Sequence, residues 1–213
     1  MTELAFEVLD VAAERYAAAP TLRATLRVTE TSGEVVHAVA LRAQVRIEPQ
    51  RRGYDDTEKD ALGDLFGEAD RWGQTLKPFL WTHCTTMVPG FEGSTSVDLP
   101  LLCTYDLEVA AAKYFHGVAA GEVPLSFLFN GTVISRGETG FTVTQVPWHS
   151  EATHRMPVTV WRDLMDHYFP NSGWLRLDRD TLSALAGYKS RRGLTTWEEA
   201  FAVLLKEAGE EAP

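Results

Sequence analysis

The stretch Val39-Ala40-Leu41-Arg42-Ala43-Gln44-Val45-Arg46-Ile47-Glu48 decides the fold class, because its apolar and polar residues alternate with period two. Such a segment buries one face and wets the other, as strands of an antiparallel sheet do over a core. Thr21-Leu22-Arg23-Ala24-Thr25-Leu26-Arg27-Val28 repeats the pattern. Thr31-Ser32-Gly33-Glu34 between them has the composition of a hairpin loop, which predicts that the two strands pair with each other. Phe6 to Val11 reads as an earlier strand.

Downstream, Asp55-Asp56-Thr57 can cap a short helix with an apolar stripe at Leu62, Leu65 and Phe66, and Gly67 can end it. Thr82 to Val88 has the β-branched content of a strand stopped by Pro89-Gly90, and a further strand pattern lies within Val97 to Val109. Ala110 to Phe115 fits either a strand or a helical turn. Pro124 to Ile134, with Asn130-Gly131 inside it, reads as one continuous strand or a tight hairpin, and Gly137 to Gly140 as a turn before Phe141 to Val146.

After Pro157 the period changes to about 3.6. Val160, Trp161 and Leu164 with Met165 or Tyr168 share a helical face, ended by Pro170-Asn171. Asp178 or Asp180 can cap a second helix carrying Leu182, Leu185 and Tyr188. A third opens at Thr195-Thr196-Trp197-Glu198-Glu199, where Thr195 with Glu198 or Thr196 with Glu199 has capping-box spacing, and continues with a stripe of Phe201, Leu204 and Leu205. These patterns predict an α+β protein. Residues 1–147 would form an antiparallel β-sandwich-like domain with one short inserted helix, and 148–213 a junction loop and a subdomain of about three helices packed on it. The acidic, Ala-rich tail Glu207 to Pro213 is expected to fray.

The 213 residues suffice to bury a sizeable core, and 45% hydrophobic and 23% charged residues are ordinary globular usage. A net charge of −10 with scattered arginines disfavours phosphate backbones, so nucleic-acid binding is not expected. Met1-Thr2-Glu3-Leu4-Ala5-Phe6-Glu7 lacks a basic, then apolar, secretory pattern, and no later stretch is long and apolar enough to insert in a membrane; a cytoplasmic protein is expected. Cys84 and Cys103 share no ligand spacing and read as reduced structural thiols. Phosphate-binding loops and the serine-hydrolase elbow are missing from the sequence, so no cofactor and no catalytic residue are assigned. His83 beside Cys84 is not a dyad, since neighbours on a strand face opposite ways.

Functional side chains concentrate in Val146-Pro147-Trp148-His149-Ser150-Glu151-Ala152-Thr153-His154-Arg155-Met156-Pro157-Val158. Two readings compete there. In one, Trp148, His149, Glu151, His154 and Arg155 meet a protein partner, with Glu151 and Arg155 paired at i, i+4. In the other, His149, Glu151 and His154 hold a metal ion for a metal-dependent enzyme or carrier, which requires a loop to bring imidazoles five residues apart together.

Three stretches carry a resemblance to a family of bacterial proteins of unknown function: Leu65-Phe66-Gly67 with Arg71-Trp72 and Thr75-Leu76; Pro89-Gly90-Phe91 through Cys103-Thr104-Tyr105-Asp106 to Lys113-Tyr114-Phe115; and Pro147-Trp148 through Tyr168-Phe169-Pro170. Proteins of the family it resembles are encoded among accessory genes of high-affinity uptake [NiFe] hydrogenases. The resemblance implies a non-catalytic accessory or assembly factor whose partner is a [NiFe] hydrogenase subunit or maturation factor, and it carries over no catalytic residues.

Overall fold

In the computed structural model, which describes residues 3–106, 109–137 and 140–210, the alternating segment up to Ile47 lies within one strand, Val36–Ile47. Val39, Leu41, Ala43, Val45 and Ile47 are buried on one face, while Ala40 and Arg42 are exposed on the other. In chain order the strands are β1 (Leu4–Ala13), β2 (Thr21–Glu30), β3 (Val36–Ile47), β4 (Phe79–Phe91), β5 (Ser94–Leu102), β6 (Glu122–Gly137), β7 (Gly140–Gln145) and β8 (Glu151–Pro157). The helices are α1 (Asp56–Ala61), α2 (Gly63–Phe66), α3 (Trp72–Thr75), α4 (Ala110–Gly117), α5 (Val158–Tyr168), α6 (Arg179–Arg191) and α7 (Trp197–Ala208). The chain divides into two units, Met1–Trp174 and Leu175–Pro213.

The first unit is α+β with two antiparallel sheets. One has the order β1-β2-β5; the other runs β4-β3-β6-β7, with β8 paired to the first half of β6. β2 and β3 therefore do not form the expected hairpin: β2 pairs with β1 and β5, and β3 with β4 and β6. The loop between them carries the chain from one sheet to the other because Glu30 turns it. The buried Glu30 carboxylate accepts from the backbone amides of Ser32, Gly33 and Glu34 at 2.9, 2.6 and 2.9 Å, and from the Ser32 hydroxyl. With those amides satisfied by the carboxylate, the loop has no need of a cross-strand partner for them.

One further expectation fails, and one open alternative is resolved, each for an identifiable reason. Pro89 does not stop β4, which runs on to Phe91 with Pro89 opposite Ala38; β4 is an edge strand, where a missing N–H leaves no ladder bond unmade. Asn130-Gly131 is not a hairpin turn but the middle of the 16-residue β6. Gly131 has φ +153°, and a Cβ there would lie 2.2 Å from the Ala40 carbonyl oxygen, so glycine serves close strand approach and not reversal. The segment Ala110 to Phe115 resolves as helix α4. Gly137 and Gly140 pair across the β6–β7 connection, and Glu138 and Thr139, within the expected turn, lie outside the described residues.

Both sheets feed one buried cluster, with Leu22, Leu26 and Val28 from the first and Leu41, Val45, Phe127 and Phe129 from the second. Each such side chain contributes about 1.5–3 kcal/mol by leaving water. Helix α5 packs on β1, β2 and β8 through Val158, Leu164 and Met165, and Trp161 stacks on Phe115 of α4 with centroids 5.0 Å apart. The short helices α1 to α3 hold Phe66 and Trp72 against Tyr54 and Tyr114. Asp55 caps α1 in a box with Glu58, whose carboxylate also takes Arg52 at 2.8 Å and the Ala119 amide at 2.8 Å.

The second unit is a pair of helices. Asp178 caps α6, and Thr196 with Glu199 forms the capping box of α7. Of the tail Glu207 to Pro213, expected to fray, Glu207 and Ala208 instead end α7 and Gly209 caps it, while residues 211–213 lie outside the described residues.

Candidate functional site

The segment expected to be a junction loop is a turn and a strand. Ser150 N donates to Pro147 O at 3.0 Å and closes the turn carrying Trp148 and His149; Glu151 then begins β8, which feeds directly into α5. Strand alternation separates the singled-out residues. Ala152 and Met156 point to the core with His154 half-buried between them, while Glu151, Thr153 and Arg155 are exposed on the opposite face. His149 sits in the turn, so His149, Glu151 and His154 do not converge, and no group of three metal-ligating side chains occurs among the described residues.

The i, i+4 pair also fails, because residues four apart on a strand are about 13 Å apart. Arg155 instead donates to the Arg51 carbonyl at 3.1 Å, tying β8 to the turn after β3. Trp148 is 92% exposed, with the His149 ring edge-on to it at 5.6 Å. A large ring held that far into water contributes almost nothing to the core.

The outer face of the five-stranded sheet carries the feature that sequence reasoning missed. Val39, Val88 and Val133 point inward and are buried, which turns Ala38, Pro89 and Ile134 outward. The ladder registers line them up as Pro89, Ala38, Ile134 and Val143 across β4, β3, β6 and β7. The neighbouring row is Met87, Ala40, Thr132 and Gln145. Val143 is 63% exposed, Met87 62% and Phe141 73%, the last with its ring edge-on to His37 at 4.9 Å. β7 is an edge strand, and the Trp148 turn follows it. Further along the same face the composition turns polar: His83, Gln44, Leu128 and Glu151 form one cross-strand row, so Glu151 and Arg155 lie at the polar end. The available signal was the presence of Ala38, Ala40, Ile134 and Val143 where period-two alternation calls for polar side chains.

A second concave region lies beside α5. Tyr105, His116, Trp161, Arg162 and Asp166 line a cavity of about 220 Å³, with Tyr105 stacked on Phe169 at 5.3 Å and tilted against His116 at 4.9 Å. Burial holds the His116 imidazole below its ordinary pKa, the Arg162 charge pushes the same way, and Asp166 opposes both. Arg162 is committed to structure, donating to the carbonyls of Val118 and Ala119 at the end of α4. Cys84 and Cys103 are free thiols, and burial pushes them up to about 11 and about 12. At neutral pH they are protonated and poor nucleophiles.

The fold is thus that of an α+β protein with two antiparallel sheets, and the exposed Met87, Phe141 and Val143 lie on the larger of them. The chain belongs to DUF6084, a family of unknown function, whose model matches residues 1–213. No curated protein matches its sequence. Among solved structures, the selenomethionine-labelled beta-glucosidase from Kluyveromyces marxianus is 9% identical at a TM-score of 0.25, over 73% of this chain and 15% of that one. Beta-glucosidase 3B from Thermotoga neapolitana in complex with glucose is 16% identical at 0.26, over 73% of this chain and 17% of that one. The chain thus spans less than a fifth of either enzyme, and likenesses this slight carry no argument about its activity. No helix among the described residues is long and apolar enough to cross a membrane.

Proposed function

We propose that this protein works by binding another protein, as a non-catalytic accessory or assembly factor, through the outer face of the five-stranded sheet and the Trp148 turn. One observation carries the reading: an apolar row, Pro89, Ala38, Ile134 and Val143, crosses the outer face of the sheet, with the exposed Phe141 on the same strand as Val143 and the exposed Trp148 in the turn after that strand. Exposed contiguous apolar surface is uncommon away from interaction sites, and an aromatic ring at its border suits an interface anchor. The polar end of the face, with His83, Gln44 and Glu151, supplies the hydrogen-bonding rim. On this reading the two sheets form a sandwich: one face of each makes the core, and the outer face of the larger sheet is free for a partner.

The resemblance to proteins encoded with uptake hydrogenases supplies the partner class, a [NiFe] hydrogenase subunit or maturation factor met in the cytoplasm. The test is affinity capture from the native host with the wild-type protein and with the Val143→Glu and Trp148→Ala variants. Recovery of hydrogenase components by the wild type, lost in both variants, supports the proposal. Equal recovery by all three, or recovery of no such component, overturns it.

A further inference from the structure

The helical unit Leu175–Pro213 is short of a core. In chains below ~40 residues, apolar burial alone rarely sustains a fold, and disulfides, metals or association make up the difference. This unit has no cysteine, and among its described residues Ala200 alone is buried. Leu185, Leu194, Val203 and Leu204 are half-buried, while other large apolar side chains of the two helices are exposed. On α7, Trp197 is 39% and Phe201 38% exposed, with Leu205 on the same stripe, and Leu182 on α6 is likewise exposed. Two polar contacts join the helices: Arg192 to Glu207 at 2.5 Å, and Lys189 over the Trp197 ring at 5.7 Å.

The charges say what covers these stripes. Helix α6 carries Arg179, Lys189 and Arg191 against Asp180, and is net basic. Helix α7 carries Glu198, Glu199 and Glu207 against Lys206, and is net acidic. A partner surface matched to both helices has an acidic helix facing α6 and a basic helix facing α7. A second copy of the same hairpin, turned by a two-fold axis, presents that arrangement. We infer that the α6–α7 hairpin is a dimerisation element, pairing with the hairpin of a second copy of this chain to form a four-helix bundle with Trp197, Phe201, Leu205 and Leu182 at its centre. The inference is independent of the sheet surface assigned to a heterologous partner.

Sedimentation equilibrium of the full chain across the micromolar range tests it. The expected result is twice the 23.7 kDa monomer mass. Phe201→Glu is expected to weaken self-association by about thirtyfold or more, as the loss of an interface anchor does. Val143→Glu, on the exposed sheet face, is expected to leave it unchanged. A monomeric wild type overturns the inference, and so does a monomeric Val143→Glu protein beside a dimeric Phe201→Glu protein. Should Phe201→Glu unravel the hairpin, hydrogen exchange of the wild type decides without a variant. Amides of α6 and α7 gain protection as concentration rises if the hairpins pair, and protection independent of concentration sinks the inference.

Discussion

Phe6 of β1 stacks on Phe129 of β6 with ring centroids 4.4 Å apart and planes 20° from parallel, joining the two sheets across the core. Phe129 is buried, whereas Phe6 is partly exposed at the margin. Phe129→Ala should therefore destabilise the first unit by about 3–5 kcal/mol, the cost of a large core cavity. Phe6→Ala should cost less, and the double variant less than the sum, because each change removes the same stacked pair. Urea unfolding followed by tryptophan fluorescence measures all three; strictly additive losses would show that the stack does not couple the sheets.

Gly131 offers a sharper test of strand approach. A Cβ there would sit 2.2 Å from the Ala40 carbonyl oxygen, and the backbone at φ +153° disfavours any side chain. Gly131→Ala must push β3 and β6 apart at the centre of the larger sheet, and a loss of about 3 kcal/mol or more, or failure to fold, is expected. Gly121 also has positive φ, at +80°, but open space surrounds its would-be Cβ. Gly121→Ala should cost about 1 kcal/mol, from backbone strain alone. Equal losses at the two positions would refute the close-approach account.

These positions also show where sequence reading stopped. The strand β3, the helix α5, the Asp178 cap and the Thr196–Glu199 box were legible because each rests on local periodicity or on spacing within one turn. Which strands pair was not legible. Thr31 to Glu34 has hairpin composition, but the Glu30 carboxylate uses those same amides to send the chain across to the other sheet. Asn130-Gly131 has the letters of a turn, and only the proximity of Ala40 reveals why glycine is there. The apolar row of the candidate surface comes from four strands brought into register by the fold, and no single segment displays it.

The His116 imidazole should leave a pH signature. Its pKa is held below the ordinary value by burial and by Arg162. The unfolded chain therefore binds the proton first as pH falls, and the folded state loses stability through the window below about 6.5. The contribution is fully present above that value and disappears on acidification. Melting temperature followed from pH 8 to pH 5 should fall for the wild type, and fall less for His116→Gln. Parallel curves for the two proteins would show that burial in this cavity and the Arg162 charge do not disfavour the imidazolium.

Trp148 separates a structural role from an interface role. The ring is 92% exposed and its recorded ring contact is with His149, itself exposed, so Trp148→Ala removes little buried area. Its melting should lie within about 0.5 kcal/mol of the wild type, as for surface substitutions generally. The structure thus turns a change that would cost a few kcal/mol for a core tryptophan into a near-silent one in the absence of a partner. Partner recovery should fall in Trp148→Ala and in Val143→Glu alike, since the proposed surface includes both the edge strand β7 and the turn that follows it. His154→Ala is the contrasting variant. Half-buried on the core-facing side of β8, it should lower melting while leaving recovery by the folded protein intact. A Trp148→Ala protein that melts early and still captures its partner would assign the ring to the fold and remove it from the surface.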